Sequence, residues 1–374
     1  MKTLLKGGRV LLQGDFEENC RVVWENGNIL AVGAACEGLC ADREINADGL
    51  TVLPGLVDVH THGRAKYDFN TASAEQMIQM KRDYAEHGVT TVFATLASDT
   101  AEGWRRSIRA VKESGFDGIH FEGRYLSLGK RGAHPAELLA PLDANELETF
   151  LRDLNIPCHI SAAFELDTDG SFAACAKRYG ATLGLGHTMA TADQAREAIS
   201  RGVTSFTHLF NAMPPLHHRE GGAVSVALCE GDFGELICDG MHICPDMIAL
   251  AYRCLGADRT VLITDSMEAT GCPDGEYAIA GQPVVVKNGK ALTLDGALAG
   301  STLDLWDGVK NLMRFTGVSL ADAVRCATCN PARMVGLESL VGSIAEGKRA
   351  DLIMVDDTLT LRGVVANGEP LSEI

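Results

Sequence analysis

The 374-residue sequence predicts an α/β protein: a (β/α)8 TIM-like barrel with a small β-sandwich domain formed by both chain ends. Three observations carry this prediction. Apolar β-type runs alternate with amphipathic helical stretches through the middle of the chain, the pattern of parallel βα units. Eight such runs can be counted, the number that closes a barrel. Both ends of the chain instead carry short β-type pieces broken by Gly and Asn, with no helical stretch between them.

From the N-terminus, Arg9–Leu12, Arg21–Trp24 and Ile29–Val32 are strand-like, with a turn at Glu25-Asn26-Gly27-Asn28. The end of the chain repeats this texture at Ala350–Val355 and Leu361–Ala366, which assigns 1–53 plus 336–374 to the small domain and 54–335 to the barrel. The expected barrel strands are Leu56–His62, Thr90–Leu96, Gly118–Gly123, Cys158–Leu166, Ala181–Thr188, Ser205–Asn211, Glu235–His242 and Thr260–Met267. Helical patterns fall at Ala74–His87, Ala101–Ser114, Asn145–Leu154, Ala192–Ser200, Pro245–Leu255 and Leu303–Phe315. Between Glu268 and Gly300 the beat breaks into Gly-rich hairpin-like pieces, read as an insertion after strand eight.

The 33 Lys+Arg against 50 Asp+Glu leave a net charge of −17, which argues against a nucleic-acid backbone or an anionic membrane as partner. No uncharged apolar run reaches the roughly 18 residues that span a bilayer. The lysines near Met1 precede no apolar signal region. The twelve cysteines are scattered singly, and Cys326-x-x-Cys329 lies in a helical pattern without a second pair, so a reducing cytoplasm is expected.

The chemistry lies at the C-terminal ends of the strands, which face one rim of a barrel. Strand one ends in His60-Thr61-His62, strand three in Glu122, strand five in His187, strand six in His208, strand seven in His242 and strand eight in Asp265. His60 and His62, two residues apart on a strand, point to the same side. Five of the eleven histidines therefore converge on one rim, too many for independent core histidines. Imidazoles with a carboxylate are the ligand set of zinc or another divalent ion, with iron, cobalt and manganese also suited. Asp265 is either a further ligand or the base that takes a proton from activated water and returns it to a leaving amine. His120 and His159 sit mid-strand and are read as core or supporting residues, and His87 as a cation at a helix C-terminus.

Several strings carry a resemblance. Pro54-Gly55-Leu56-Val57-Asp58-Val59-His60-Thr61-His62 resembles the opening motif of the amidohydrolase superfamily, and Ala327–Arg333 and Gly347–Leu352 resemble its closing motifs. His120–Gly123, Lys130–His134, Gly186–Thr188, Thr207–Met213 and Asp239–His242 resemble the N-acetylglucosamine-6-phosphate deacetylases within it. Where many binuclear relatives bridge their metals with a carbamylated lysine on strand four, this strand has no lysine, and Glu122 is the carboxylate placed to bridge.

The resemblance implies one or two metals per chain, with Glu122, His187 and His208 holding the principal one, His60 and His62 a second, and Asp265 acting as base and then acid. It implies that His134 and His242 contact the sugar or the developing oxyanion, and that Asn211 and Ala212 approach the phosphate. Arg219 would bind the phosphate, in its own or a neighbouring subunit of a homodimer. The implied reaction is hydrolysis of the acetamide of an amino sugar phosphate. The alternatives are N-acetylgalactosamine 6-phosphate, another small anionic amide, or a non-catalytic barrel scaffold. The sequence departs from the family at Arg64, Lys66 and Arg124, which either bring three cations to the substrate or pair with local acids.

Overall fold

The computed structural model describes residues 1–294 and 296–371, so the last three residues of the 336–374 segment lie outside the described residues. Eight parallel strands form one sheet in sequence order: β1 (Leu56–Thr61), β2 (Val89–Leu96), β3 (Gly118–Glu122), β4 (Cys158–Ala162), β5 (Thr182–Leu185), β6 (Val203–Phe206), β7 (Phe233–Ile237) and β8 (Thr260–Ile263). The sheet closes where Asp265 N donates to His60 O (2.9 Å) and His62 N to Ser266 O (2.7 Å). That closure sets His60, His62 and Asp265 side by side.

A helix follows each strand: α1 (Ala74–Glu86), α2 (Ala101–Ser114), α3 (Ala144–Leu151), α4 (Ser171–Arg178), α5 (Ala192–Ser200), α6 (Gly222–Glu230), α7 (Pro245–Arg259) and α8 (Leu305–Thr316). Their starts are written in the sequence. Ser73 with Gln76 and Thr191 with Gln194 form capping boxes, Thr100 caps α2, and Pro245 opens α7. Helices α4 and α6 were not anticipated. α6 (GAVSVALCE) is apolar on nearly every side and buried on most, so it has no amphipathic period to read.

Strands β4 to β8 end earlier than the sequence suggests, at Ala162, Leu185, Phe206, Ile237 and Ile263, and β7 starts two residues earlier, at Phe233. For β5, β6 and β8 the reason is backbone conformation, whereas β7 runs at Cys238 into the turn that carries His242, so His242 does not end that strand. His187 (φ 46°), His208 (φ 30°) and Asp265 (φ 48°) adopt left-handed geometry, which leaves the ladder and swings their side chains over the barrel mouth. Such strained non-glycine residues concentrate at functional sites.

The barrel interior is polar beneath that mouth. Asp58, His120, His159, Ser161, Ser205, Thr207 and Glu235 are all fully buried. They satisfy one another in part: His120 contacts Thr95 Oγ1 (3.1 Å) and Ser161 Oγ (2.8 Å), and Thr264 Oγ1 donates to Asp58 (2.6 Å). The packing leaves no room for a side chain at Gly184, where a Cβ would lie 2.8 Å from Thr207 Oγ1 and 2.9 Å from His159 Nε2.

Between β8 and α8, Gly275–Ile279, Gln282–Lys287 and Lys290–Thr293 pair into an antiparallel sheet, where the Gly-rich insertion was expected. Its own core of Met267, Ile279, Val284, Val286 and Ala299 props it beside the mouth.

The two chain ends interleave in a separate small domain. Leu352–Val355 pairs antiparallel with Thr51–Pro54, which runs parallel to Arg9–Leu12. A second sheet, containing Lys2–Lys6 and Val22–Glu25, packs on this one through Leu5, Val10, Trp24, Ile29, Leu352 and Val365. Trp24 Nε1 donates to Gly368 O (2.8 Å), and Arg349 pairs with Asp117 (2.6 Å) just before β3, tying this domain to the barrel. Among the described residues no helix is long and apolar enough to cross a membrane.

Candidate metal centre and active site

His60, His62, Glu122, His187, His208 and Asp265 meet at the C-terminal mouth, all buried. Glu122 stands at the centre, with one carboxylate oxygen for each histidine pair. Its Oε1 lies 3.1 Å from His187 Nε2 and 2.8 Å from His208 Nε2. Its Oε2 lies 3.0 Å from His62 Nε2 and 3.4 Å from His60 Nε2. Asp265 Oδ1 closes the second group, 3.2 Å from His62 Nε2 and 3.5 Å from His60 Nε2. Two trios, His60–His62–Glu122 and Glu122–His187–His208, each keep their donor atoms within 4.8 Å of one another.

These separations suit a metal. Ligands about 2.0–2.1 Å from a tetrahedral ion lie roughly 3.3 Å from each other, which is the spacing here. The donor chemistry suits one too. His187 Nδ1 donates to Lys130 O (2.8 Å), so its Nε2 presents a lone pair, yet that atom faces His208 Nε2 at 3.0 Å. His60 Nε2 is buried without a hydrogen-bond partner. Two imidazole nitrogens this close, each also against Glu122 Oε1, can share one cation.

The electrostatics make the same demand. Burial alone would lower the His62 pKa, but hydrogen bonds to Asp265 and Glu122 outweigh it and push it up to about 9. Burial would raise Asp265, but the His60 and His62 imidazoles hold it down to about 2. Glu122 is likewise held well below the usual carboxylate range, burial notwithstanding, chiefly by His60 and then by His187 and His208. Two buried carboxylates thus call for positive charge at their centre, and the six donors can hold a divalent metal.

A cavity of about 200 Å³ opens onto the cluster, lined by His62, Glu122, His134, His187, His208, Asn211, Ala212, His242 and Asp265. Ile279, Leu298, Ala299 and Gly300 of the insertion close its far wall. Gly132 covers His187 in left-handed geometry (φ 58°), where a Cβ would stand 3.3 Å from the ring. His242 Nδ1 is anchored by Asp239 Oδ2 (2.6 Å), leaving Nε2 for a ligand. His134 is fixed by Ser98 Oγ (2.9 Å) with its Nε2 3.8 Å from Glu122, and burial followed by repulsion from His187 lowers its pKa to about 3, so the ring is neutral. Asn211 spends its amide on His208 O (3.1 Å), which fixes the turn that carries His208 and Ala212.

Arg219 does not line this cavity. It is exposed, with Nη1 2.8 Å from His218 Nε2. Arg64 and Arg124 do not line it either, and of the two readings the sequence left open the geometry fits pairing with acids. Arg64 is buried between Asp83 and Asp304 (2.5 Å to the latter). Arg124 reaches Glu146 (2.6 Å) and Asp99 O (2.7 Å) and lies over the Trp104 ring. A buried guanidinium needs such partners, and its carboxylates draw it away from the mouth. Lys66 is exposed on the turn beside Arg64. We expect Arg64→Met to cost roughly 3 kcal/mol of stability, the scale for breaking a buried pair, with KM unchanged. Thermal melts and steady-state kinetics check this, and a raised KM at unchanged stability would return Arg64 to the substrate site.

His87 caps the C-terminus of α1, its Nδ1 2.8 Å from Asp83 O, as the sequence suggests. Two supporting acids escaped sequence reasoning. Asp239 stands three residues before His242, within reach of its ring across one turn. Glu235 lies inside the apolar strand Phe-Gly-Glu-Leu-Ile, where a carboxylate is itself a signal.

Residues 51–371 match the amidohydrolase family. The chain is 33% identical over 372 residues to the N-acetylglucosamine-6-phosphate deacetylase of Vibrio furnissii, covering 96% of this chain and 92% of that one. It is 34% identical over 333 residues to the N-acetylgalactosamine-6-phosphate deacetylase of Escherichia coli O157:H7, covering 86% and 88%. The solved structure of a mutant N-acetyl-D-glucosamine-6-phosphate deacetylase from Mycobacterium smegmatis, in complex with N-acetyl-D-glucosamine-6-phosphate, superposes with a TM-score of 0.91. That match has 34% identity and covers 99% of both chains.

Proposed function

The chain belongs to the amidohydrolase family, and from that premise we propose that it hydrolyses the acetamide of N-acetylglucosamine 6-phosphate to glucosamine 6-phosphate and acetate. The single observation that carries this is Glu122, one carboxylate shared between two histidine pairs, with Asp265 beside them and a sugar-sized cavity in front. A divalent ion held by Glu122, His187 and His208, with a second at His60 and His62, would supply Lewis-acid polarisation and a more acidic water. Zinc suits these donors best, with iron, cobalt and manganese as alternatives.

The chain's own groups do the rest. Asp265 takes the proton of the attacking water through its carboxylate and hands it to the amine nitrogen as the C–N bond breaks. His242, its far nitrogen tied to Asp239, and His134, tied to Ser98, contact the sugar or the oxygen that gains charge. Ile279 and Leu298 give the cavity an apolar stretch of wall.

Asn211 and Ala212 are proposed to approach the phosphate, and Arg219 to bind it. Because Arg219 is exposed outside its own cavity, its phosphate contact is proposed to be made in the neighbouring subunit of a homodimer. We expect Arg219→Ala to raise KM for the phosphorylated sugar far more than for its dephosphorylated analogue. Equal effects on both would exclude a phosphate contact. The protein is proposed to act in the cytoplasm, with 1–53 plus 336–374 as its small domain and 54–335 as its barrel.

N-acetylgalactosamine 6-phosphate is the alternative substrate, favoured by the similarity to the Escherichia coli relative. Acetate release from a panel of phosphorylated N-acetyl sugars decides. The proposal requires the fastest turnover on the glucosamine epimer, a preference for the galactosamine epimer would reassign the substrate, and no release from any member would remove the activity.

A further inference from the structure

We propose that Glu235 is a positioning residue that fixes His60 for metal binding. This role rests on the cluster being a metal centre. Glu235 lies on β7 beneath the mouth, fully buried, and touches neither the cavity nor the donor atoms that face it. Its Oε2 receives two donors: His60 Nδ1 (3.3 Å) and the backbone N–H of His208 (3.2 Å). Its own backbone carbonyl takes the N–H of Leu209 (2.8 Å). The strand and the His208 turn thus hold the carboxylate, and the carboxylate holds the ring.

A buried carboxylate is costly unless something needs it. Packing does not explain this one, since the cluster directly above already contains Glu122 and Asp265. What faces Glu235 is imidazole: His60 on one oxygen, and His159 Nε2 at 3.7 Å from the other. His159 is itself anchored through Nδ1 to Thr182 Oγ1 (2.8 Å). A ligand histidine that gives its second N–H to a carboxylate has its tautomer and ring plane fixed and its other nitrogen made more basic. Among the described residues, His60 is the only one of the four clustered imidazoles whose second nitrogen meets a carboxylate. His187 uses the Lys130 carbonyl, and the Nδ1 atoms of His62 and His208 are buried without a hydrogen-bond partner. The ligand pair His60–His62 is therefore oriented from below through one member.

The test is a Zn²⁺ titration of the metal-stripped full-length protein against a chelator of known affinity, on wild type, Glu235→Gln, His60→Ala and the double variant. Glutamine keeps the volume and an acceptor for His208 N–H, so the fold is retained, which circular dichroism verifies. The expected result is a loss of about tenfold or more in Zn²⁺ affinity for Glu235→Gln, the scale of a supporting contact, with no further loss when it is added to His60→Ala. A merely structural role would weaken binding alike in both backgrounds, and that result, or unchanged affinity in Glu235→Gln, overturns the proposal. Wild-type protein that binds no Zn²⁺ would instead overturn the metal centre, and the role of Glu235 with it.

Discussion

Replacing Asp265 by asparagine is expected to leave the metal bound and to lower kcat by at least about a hundredfold, the scale of one acid–base group. The variant is nearly isosteric, and its amide oxygen can still face His62 and His60, which lie 3.2 and 3.5 Å from the present carboxylate. What it loses is the ability to accept a proton from water and to deliver it to the amine nitrogen. The proposal gives this duty to Asp265 because Glu122 already faces four imidazoles, whereas Asp265 faces two. Near-normal turnover in the asparagine variant, with metal content unchanged, would remove Asp265 from the mechanism.

A larger loss is expected for Glu122→Gln. Each oxygen of Glu122 faces a different histidine pair, and an amide offers only one oxygen, the other position becoming an NH2 group that cannot donate a lone pair to a cation. One trio must lose its oxygen donor whichever way the amide turns, and both lose the negative charge. Loss of a metal or of its charge compensation is worth several kcal/mol of transition-state stabilisation, hence about a thousandfold or more in rate. Metal analysis of the purified variant beside steady-state kinetics checks it. Full metal content with retained turnover would show that Glu122 does not bridge.

Much of this was legible in the sequence for a physical reason. Parallel barrel strands are buried on both faces, so they appear as continuous apolar runs, and all eight stand where such runs occur. Helices with one wet face, such as α2 and α5, could be read to the residue because periodicity and caps coincide. Helix α6, wrapped in apolar neighbours, carried no such contrast. The clustered histidines were visible because chemistry-bearing residues followed apolar runs at one rim. Their backbone geometry was not: nothing in the composition of Gly-His-Thr or Thr-His-Leu says that His187 and His208 have left the strand with positive φ. Which acids Arg64 and Arg124 would pair with was equally hidden, since Asp83, Asp304 and Glu146 are supplied by other elements of the fold. Glu235 escaped because its partner, His60, lies 175 residues away.

The central claim is that Glu122 joins two histidine pairs around bound metal at the open end of the barrel. Anomalous diffraction from crystals of the zinc-loaded protein, collected at the zinc edge, tests it most directly. The account predicts a strong peak within bonding distance of Glu122, His187 and His208. Crystals whose anomalous signal lies away from these three residues, or that show none there despite saturating zinc, would contradict it.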